Sequence, residues 1–185
     1  MRPTIVSLLF AFSFIPVVCF AGPGDPPNWK QILNERVPLY GHRNWIVIAD
    51  SAYPAQARDG IETIVSGAGQ SEVLQYVLTL LSTAKHVRPI VFLDRELKYV
   101  PEIDAPGIST YRSQMDDTLK GHEVQTLRHE QIISKLDAAG AAFRILIIKT
   151  NLTLPYTSVF LQLDCAYWSS AAEQKIRASM AAPQK

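Results

Sequence analysis

The residues best suited to chemistry gather on one stretch, Tyr40-Gly41-His42-Arg43-Asn44-Trp45-Ile46-Val47-Ile48-Ala49-Asp50-Ser51-Ala52-Tyr53-Pro54. His42 follows a glycine and stands just before an apolar run. Asp50 ends that run eight residues later, and Pro54 closes the turn behind it. An imidazole can give or take a proton near neutral pH, whereas a carboxylate stays an anion and accepts hydrogen bonds. Two more positions join them. His129 stands where the alternating Glu123–Leu127 segment gives way to a helical pattern, and Tyr156 offers a phenol at the entrance to the apolar run Val159–Leu163. Taken singly, each has an ordinary structural explanation: a strand-terminal aspartate forms turns, a histidine after glycine sits in solvent, and a junction histidine caps a helix. Asp94 ends the run Ile90–Leu93 as Asp50 ends its own, but Arg95 and Glu96 follow at once, and the three read as a solvated turn.

The surrounding elements must present these groups together. Trp45–Ala49 is too short for a helix and rich enough in β-formers for a buried strand. Ile61–Ser66, Ile90–Leu93, Glu123–Leu127, Ala142–Ile148 and Val159–Leu163 read as further strands. Helical spacing falls on Trp29–Val37, on a segment from an N-cap at Ser71 to Lys85-His86, on Tyr111–Lys120, from Arg128-His129 to Gly140, and on Ser169–Met180. His86 reads as a surface residue at a helix end. Gly67-Ala68-Gly69 lacks the spacing of a dinucleotide loop and the lysine of a P-loop, so it reads as a plain turn. Helices and strands alternate throughout. The expected fold is α/β, three-layer, with a mainly parallel sheet flanked by helices. In such sheets, sites form in the loops beyond the strand ends.

Composition excludes several classes. The 185 residues carry a formal net charge of +1, with no basic run, which argues against a nucleic-acid surface. Met1-Arg2 followed by the apolar segment Ile5–Phe20, with small residues at Cys19 and Ala21, has the layout of an export signal at 1–21. The segment 22–30 reads as a linker, 31–168 as one domain and 169–185 as a C-terminal helix and tail. Cleavage would leave roughly 160 residues, enough for one core. The expected location is then periplasmic or secreted, with no membrane contact after cleavage. An uncleaved anchor is the alternative, and acylation at Cys19 is disfavoured by the bulk of Val18. Cys165 would be the sole cysteine left, so no intrachain disulfide is available. The four histidines are scattered, and no structural metal site is expected.

Several stretches fall in the order of one family. Gly41-His42, Ile46-Val47-Ile48-Ala49-Asp50 with Pro54, Glu123-Val124-Gln125 ahead of His129-Glu130-Gln131, and Pro155-Tyr156 ahead of Val159-Phe160-Leu161 together make the chain resemble the D-ribose pyranase / L-fucose mutarotase (RbsD/FucU) family, over roughly Leu33 to Leu163. The resemblance implies that His42 is the catalytic acid/base, that Asp50 holds sugar hydroxyls, and that His129 and Tyr156 contact the sugar from two further loops. It also implies a homo-oligomeric ring of subunits, often a decamer in the family, with a pocket completed by a neighbouring copy. Ser158 stands where the family usually has asparagine; a hydroxyl still donates and accepts, with shorter reach. The loop before Tyr156 is longer than usual. The Asp50–Pro54 segment leans towards the fucose side of the family and His129-Glu130-Gln131 towards the ribose side.

The chemistry so implied opens a sugar ring to its free carbonyl and recloses it. One proton goes to the ring oxygen and one leaves the anomeric hydroxyl, with no cofactor, metal or redox step. Positioned acid/base groups supply about 10²–10⁴-fold, or roughly 3–5 kcal/mol of barrier. The alternative reading, motivated by Ser158 and the export signal, is a non-catalytic exported monosaccharide-binding protein. A hydrolase built on serine or on Cys165 is disfavoured, since no nucleophile elbow is present.

Overall fold

The computed structural model describes residues 28–181. The expected export signal, most of the linker and the last four residues lie outside them.

The described residues form six strands and five α-helices. The order is α1 (Trp29–Arg36), β1 (Trp45–Ala49), β2 (Ile61–Val65), α2 (Gln70–Thr83), β3 (Val87–Asp94), α3 (Ile108–Thr118), β4 (Val124–Leu127), α4 (His129–Gly140), β5 (Ile145–Lys149), β6 (Val159–Cys165) and α5 (Ser170–Ala181). Short 3-10 turns follow α1 at Val37–Leu39 and β3 at Arg95–Tyr99. The strands form one sheet in the order β2-β5-β1-β6-β3-β4. Five run the same way, and β6 alone is antiparallel to both its neighbours, β1 and β3. The expectation of a mainly parallel sheet between helical layers is met.

β1 lies at the centre of the sheet and is buried along its whole length. Its alternation divides the core. Ile46 and Ile48 point to the face covered by α1, α2 and α3, where they pack with Leu33, Leu74, Val77, Ile108 and Met115. Trp45, Val47 and Ala49 point to the face covered by α4, with Phe92, Ile132, Leu136 and Phe160. Full burial of each branched side chain is worth roughly 1.5–3 kcal/mol, so this strand is a rigid base for the loops at its two ends. Trp29 is already helical and buried in the core. α5 buries none of its residues.

Several boundaries differ from the sequence reading for local reasons. α2 starts at Gln70 with Gly69 at its N-cap, because the Val73 N–H reaches the Gly69 carbonyl at 3.1 Å; Ser71 lies inside the first turn. α3 begins at Ile108, ahead of Tyr111, because the Glu102 carboxylate accepts the N–H groups of Gly107 and Ser109. β5 begins at Ile145, since Ala142 and Phe143 donate back to the Ala139 carbonyl and finish the turn after α4. His86 is half-buried. Its Nε2 lies 3.1 Å from the Tyr40 carbonyl and 3.3 Å from that of Val37, which ties the entrance of β3 to the chain ahead of β1.

Candidate functional site

Pairing register brings one group of residues to a single end of the sheet. Ile48 pairs with Val159 and Leu93 pairs with Val159 from the other side, so Ser158, one step before β6, lies between the ends of β1 and β3. Asp50 leaves β1 there, Asp94 ends β3 there, and His129 follows two residues after Leu127, the pairing partner of Asp94 on β4. Because β6 runs backwards, its entrance rather than its exit lies at this edge, which brings in Tyr156. This is the carboxyl edge of the parallel strands, the usual location of sites in such sheets.

Asp50 and Ser158 are bonded to each other. The Ser158 hydroxyl donates to Asp50 Oδ2 at 3.0 Å and accepts the Asp50 N–H at 3.4 Å, while Asp50 Oδ1 accepts the Ala52 N–H at 2.9 Å. Asp50 is half-buried and Ser158 buried. The carboxylate is therefore fixed in direction yet still open to a ligand. Tyr156 stacks edge-on to the His129 ring with centroids 5.8 Å apart. Its backbone is left-handed, with φ 57°, an unfavourable conformation for a residue with a Cβ. The loop is held there from below: the Tyr111 hydroxyl donates to the Thr157 carbonyl at 2.6 Å, Gln70 Nε2 donates to the same carbonyl, and the Thr157 hydroxyl donates to the Leu154 carbonyl at 2.7 Å. Burial pushes the Tyr111 phenol well above its ordinary range, so it remains a neutral donor.

Asp94 was missed by the sequence reading. It is not part of a solvated turn: it is 2% exposed, and its Oδ2 lies 3.1 Å from His129 Nδ1. Its Oδ1 is buried and has no hydrogen-bond partner among the described residues. Burial raises the Asp94 pKa, and the hydrogen bond and charge of His129 act against that rise. Glu96, from the same supposed turn, accepts the backbone N–H of His129 at 3.2 and 3.1 Å from its two oxygens and so caps α4. The available signal was the likeness to Asp50, an aspartate directly ending an apolar strand. The charged neighbours concealed it. Tyr53 lies beneath the same edge, and its phenol is pushed up to about 12 by burial and by the carboxylates of Asp94, Asp137 and Asp50.

His42 is elsewhere. It lies three residues before β1, whereas Asp50 follows the end of that strand. Five residues at about 3.3 Å each separate the two loops by some 17 Å. The His42 loop is nonetheless firmly built. Asn44 Oδ1 accepts the Gly41 N–H at 2.8 Å, the Arg43 N–H donates to the Leu163 carbonyl at 2.8 Å, and the Leu163 N–H donates to the Asn44 carbonyl at 2.9 Å. Arg43 is left-handed with φ 74°. His42 itself is exposed and has no hydrogen-bond partner among the described residues. The structure thus brings Asp50, Ser158, His129 and Tyr156 to one edge and sets His42 at the other.

A cavity of about 550 Å³ opens beside Asp94, between the Arg95–Tyr99 turn, α3 and Thr126. Asp50, Ser158, His129 and Tyr156 do not line it. Among the described residues, no cluster of three or more His, Cys, Asp or Glu side chains could hold a metal ion. No helix among them is long and apolar enough to cross a membrane.

No curated protein matches the sequence. Solved structures similar to it include Bacillus subtilis RbsD complexed with D-ribose, at 22% identity over 74% of this chain and 91% of that one, with a TM-score of 0.48. The fucose mutarotase of Streptococcus pneumoniae, in complex with L-fucose, is similar at 22% identity over 74% and 91% of the two chains, with a TM-score of 0.46. FucU from Bifidobacterium longum is similar at 20% identity over 75% and 94%, with a TM-score of 0.46. The sequence also matches a family as such, from residue 30 to residue 165, and on that match the chain belongs to the RbsD / FucU transport protein family.

Proposed function

We propose that this protein interconverts ring forms or anomers of a free monosaccharide of the ribose or fucose type. The observation that carries the reading is the convergence of Asp50, Ser158, His129 and Tyr156 on one edge of the sheet. A fixed carboxylate with open lone pairs, a half-exposed imidazole and a phenol suit a polyhydroxylated ring, whose hydroxyls both donate and accept. Histidine then supplies proton exchange near neutral pH.

The remote position of His42 gives the proposal its form. His42 joins this edge from a second copy of the chain, so the working unit is a homo-oligomer in which one chain's amino-edge loop covers another's carboxyl edge. The rigid, exposed presentation of His42 suits a group offered outward. The protein is exported if the 1–21 segment acts as the signal that its composition suggests, and sequencing the amino terminus of protein recovered outside the cytoplasm tests this.

Saturation-transfer NMR on D-ribose, L-fucose and a panel of other aldoses, with and without protein, tests the activity. Faster exchange between ring forms for at least one sugar is expected; no acceleration for any of them refutes the proposal. A second reading, binding without catalysis, is favoured by one observation: the Ser158 hydroxyl is already engaged with Asp50. Sugar affinity with unchanged exchange in both wild type and His42→Ala would select it.

A further inference from the structure

We propose that Asp94 is a positioning residue that makes His129 a proton-transferring group, rather than a passive contact to the sugar. This rests on the monosaccharide reading above.

The geometry is that of an imidazole held from behind. A carboxylate accepts and cannot donate, so the 3.1 Å contact from His129 Nδ1 to Asp94 Oδ2 requires the proton on Nδ1. In the neutral ring Nε2 then carries the lone pair, and among the described residues it has no hydrogen-bond partner. Two further contacts hold the residue, and Asp94 itself is immobile. Glu96 holds the His129 N–H, the Tyr156 ring lies edge-on to the imidazole, and Asp94 cannot swing away because it is 2% exposed and sits at the end of β3 in register with β4. A mere helix cap would not need this, since Glu96 already accepts the backbone N–H that a cap must satisfy. A carboxylate with one oxygen on a half-exposed histidine and the other buried without a partner costs stability, and such costs cluster where a side chain's direction matters for function.

The proton path balances. His129 Nε2 takes the proton of the anomeric hydroxyl as its O–H bond breaks. The C1–O bond to the ring oxygen breaks as the carbonyl forms, and the ring oxygen takes a proton from a second imidazolium, that of His42 from a neighbouring copy. Closure on the other face returns both protons. Asp94 stays ionised throughout, stabilising the imidazolium that forms transiently on His129.

The test is Asp94→Asn with Asp94→Glu beside it, each read by exchange kinetics over a sugar series and by the imidazole ¹⁵N tautomer signature of His129. Wild type should show the proton on Nδ1. Asp94→Asn should lose that preference and lower the maximal exchange rate about 100-fold, with the half-saturating sugar concentration changed only a few-fold. Asp94→Glu should recover part of the rate. An Nε2-protonated His129 in the wild type, or an Asp94→Asn protein as fast as wild type, overturns the inference and leaves the exchange activity standing. Wild type that accelerates no aldose overturns the activity itself and this inference with it. Should Asp94→Asn fail to fold, the wild-type tautomer and the rate of Asp94→Glu decide.

Discussion

The two edges of the sheet are built on opposite plans. At the carboxyl edge, Asp50, Ser158, Asp94, His129 and Tyr156 are drawn from four elements and bonded among themselves. At the amino edge, His42 stands on a turn held by the backbone bonds of Gly41, Arg43 and Asn44, and its exposed side chain has no hydrogen-bond partner among the described residues. Both edges carry one left-handed residue with a Cβ, Tyr156 at one and Arg43 at the other. Residues in such conformations persist only where their surroundings hold them, and they concentrate at functional sites. In the function proposed above, one edge holds the ligand and the other delivers a group to a neighbouring copy. Neither is a complete acid/base site by itself.

Substitutions at the two edges should separate catalysis from binding. The largest effect is expected for His42→Ala. Exchange measured by saturation transfer should fall about 10²–10⁴-fold, while thermal unfolding stays within about 0.5 kcal/mol of wild type, as befits an exposed side chain. An equal loss of stability would mean that His42 is structural. Next comes Asp50→Ala, which removes a charged acceptor. Sugar affinity by calorimetry should drop by roughly 1.5–3 kcal/mol, and Ser158→Ala should cost less, since it only orients that carboxylate.

Asp94 supplies a pH test of the carboxyl edge. Burial raises its folded pKa above the ordinary 3.8, so the folded protein binds that proton more tightly than the unfolded chain does. The associated stability is present below about 3.8 and is lost as pH rises through the folded pKa. Asp94→Asn lacks this titration. Its melting temperature relative to wild type should therefore climb as pH rises from acid through that window, even as its activity falls. A difference independent of pH would show that Asp94 is not a strained buried carboxylate. The smallest effect is expected at the strained residues. Arg43→Gly should stabilise by up to about 1 kcal/mol by relieving the left-handed backbone, and Tyr156→Gly by less, because the ring contact with His129 is lost with the phenol.

The strands were readable because apolar β-rich runs bounded by turn residues have few other uses. Trp45–Ala49 is the clearest case, and His42 and Asp50 stand in the loops at its two ends. Their separation in space followed directly from the strand between them, yet eight residues along a sequence look near. Asp94 was hidden for a different reason. Charge next to charge suggests water, and only the pairing of β3 with β4 and β6 reveals that this aspartate is covered while Arg95 beside it is not. The reversed direction of β6 could not be read from its composition, and it is what brings Tyr156 and Ser158 to the same edge as Asp50. The start of α3 slipped because a distant side chain, Glu102, caps it, whereas α4 opens at Arg128-His129 as its sequence pattern implies.

The most direct test of the two-edge account is a mixing experiment. His42→Ala and Asp50→Ala proteins, the first slow in exchange at any sugar concentration and the second slow at sugar concentrations below its weakened affinity, are unfolded together, refolded and assayed by saturation transfer at such a concentration beside each variant refolded alone. The account predicts that the mixture recovers exchange, because some sites then receive an intact His42 from one copy and an intact Asp50 from another. A mixture as slow as its components, from variants that still fold and assemble, would contradict it.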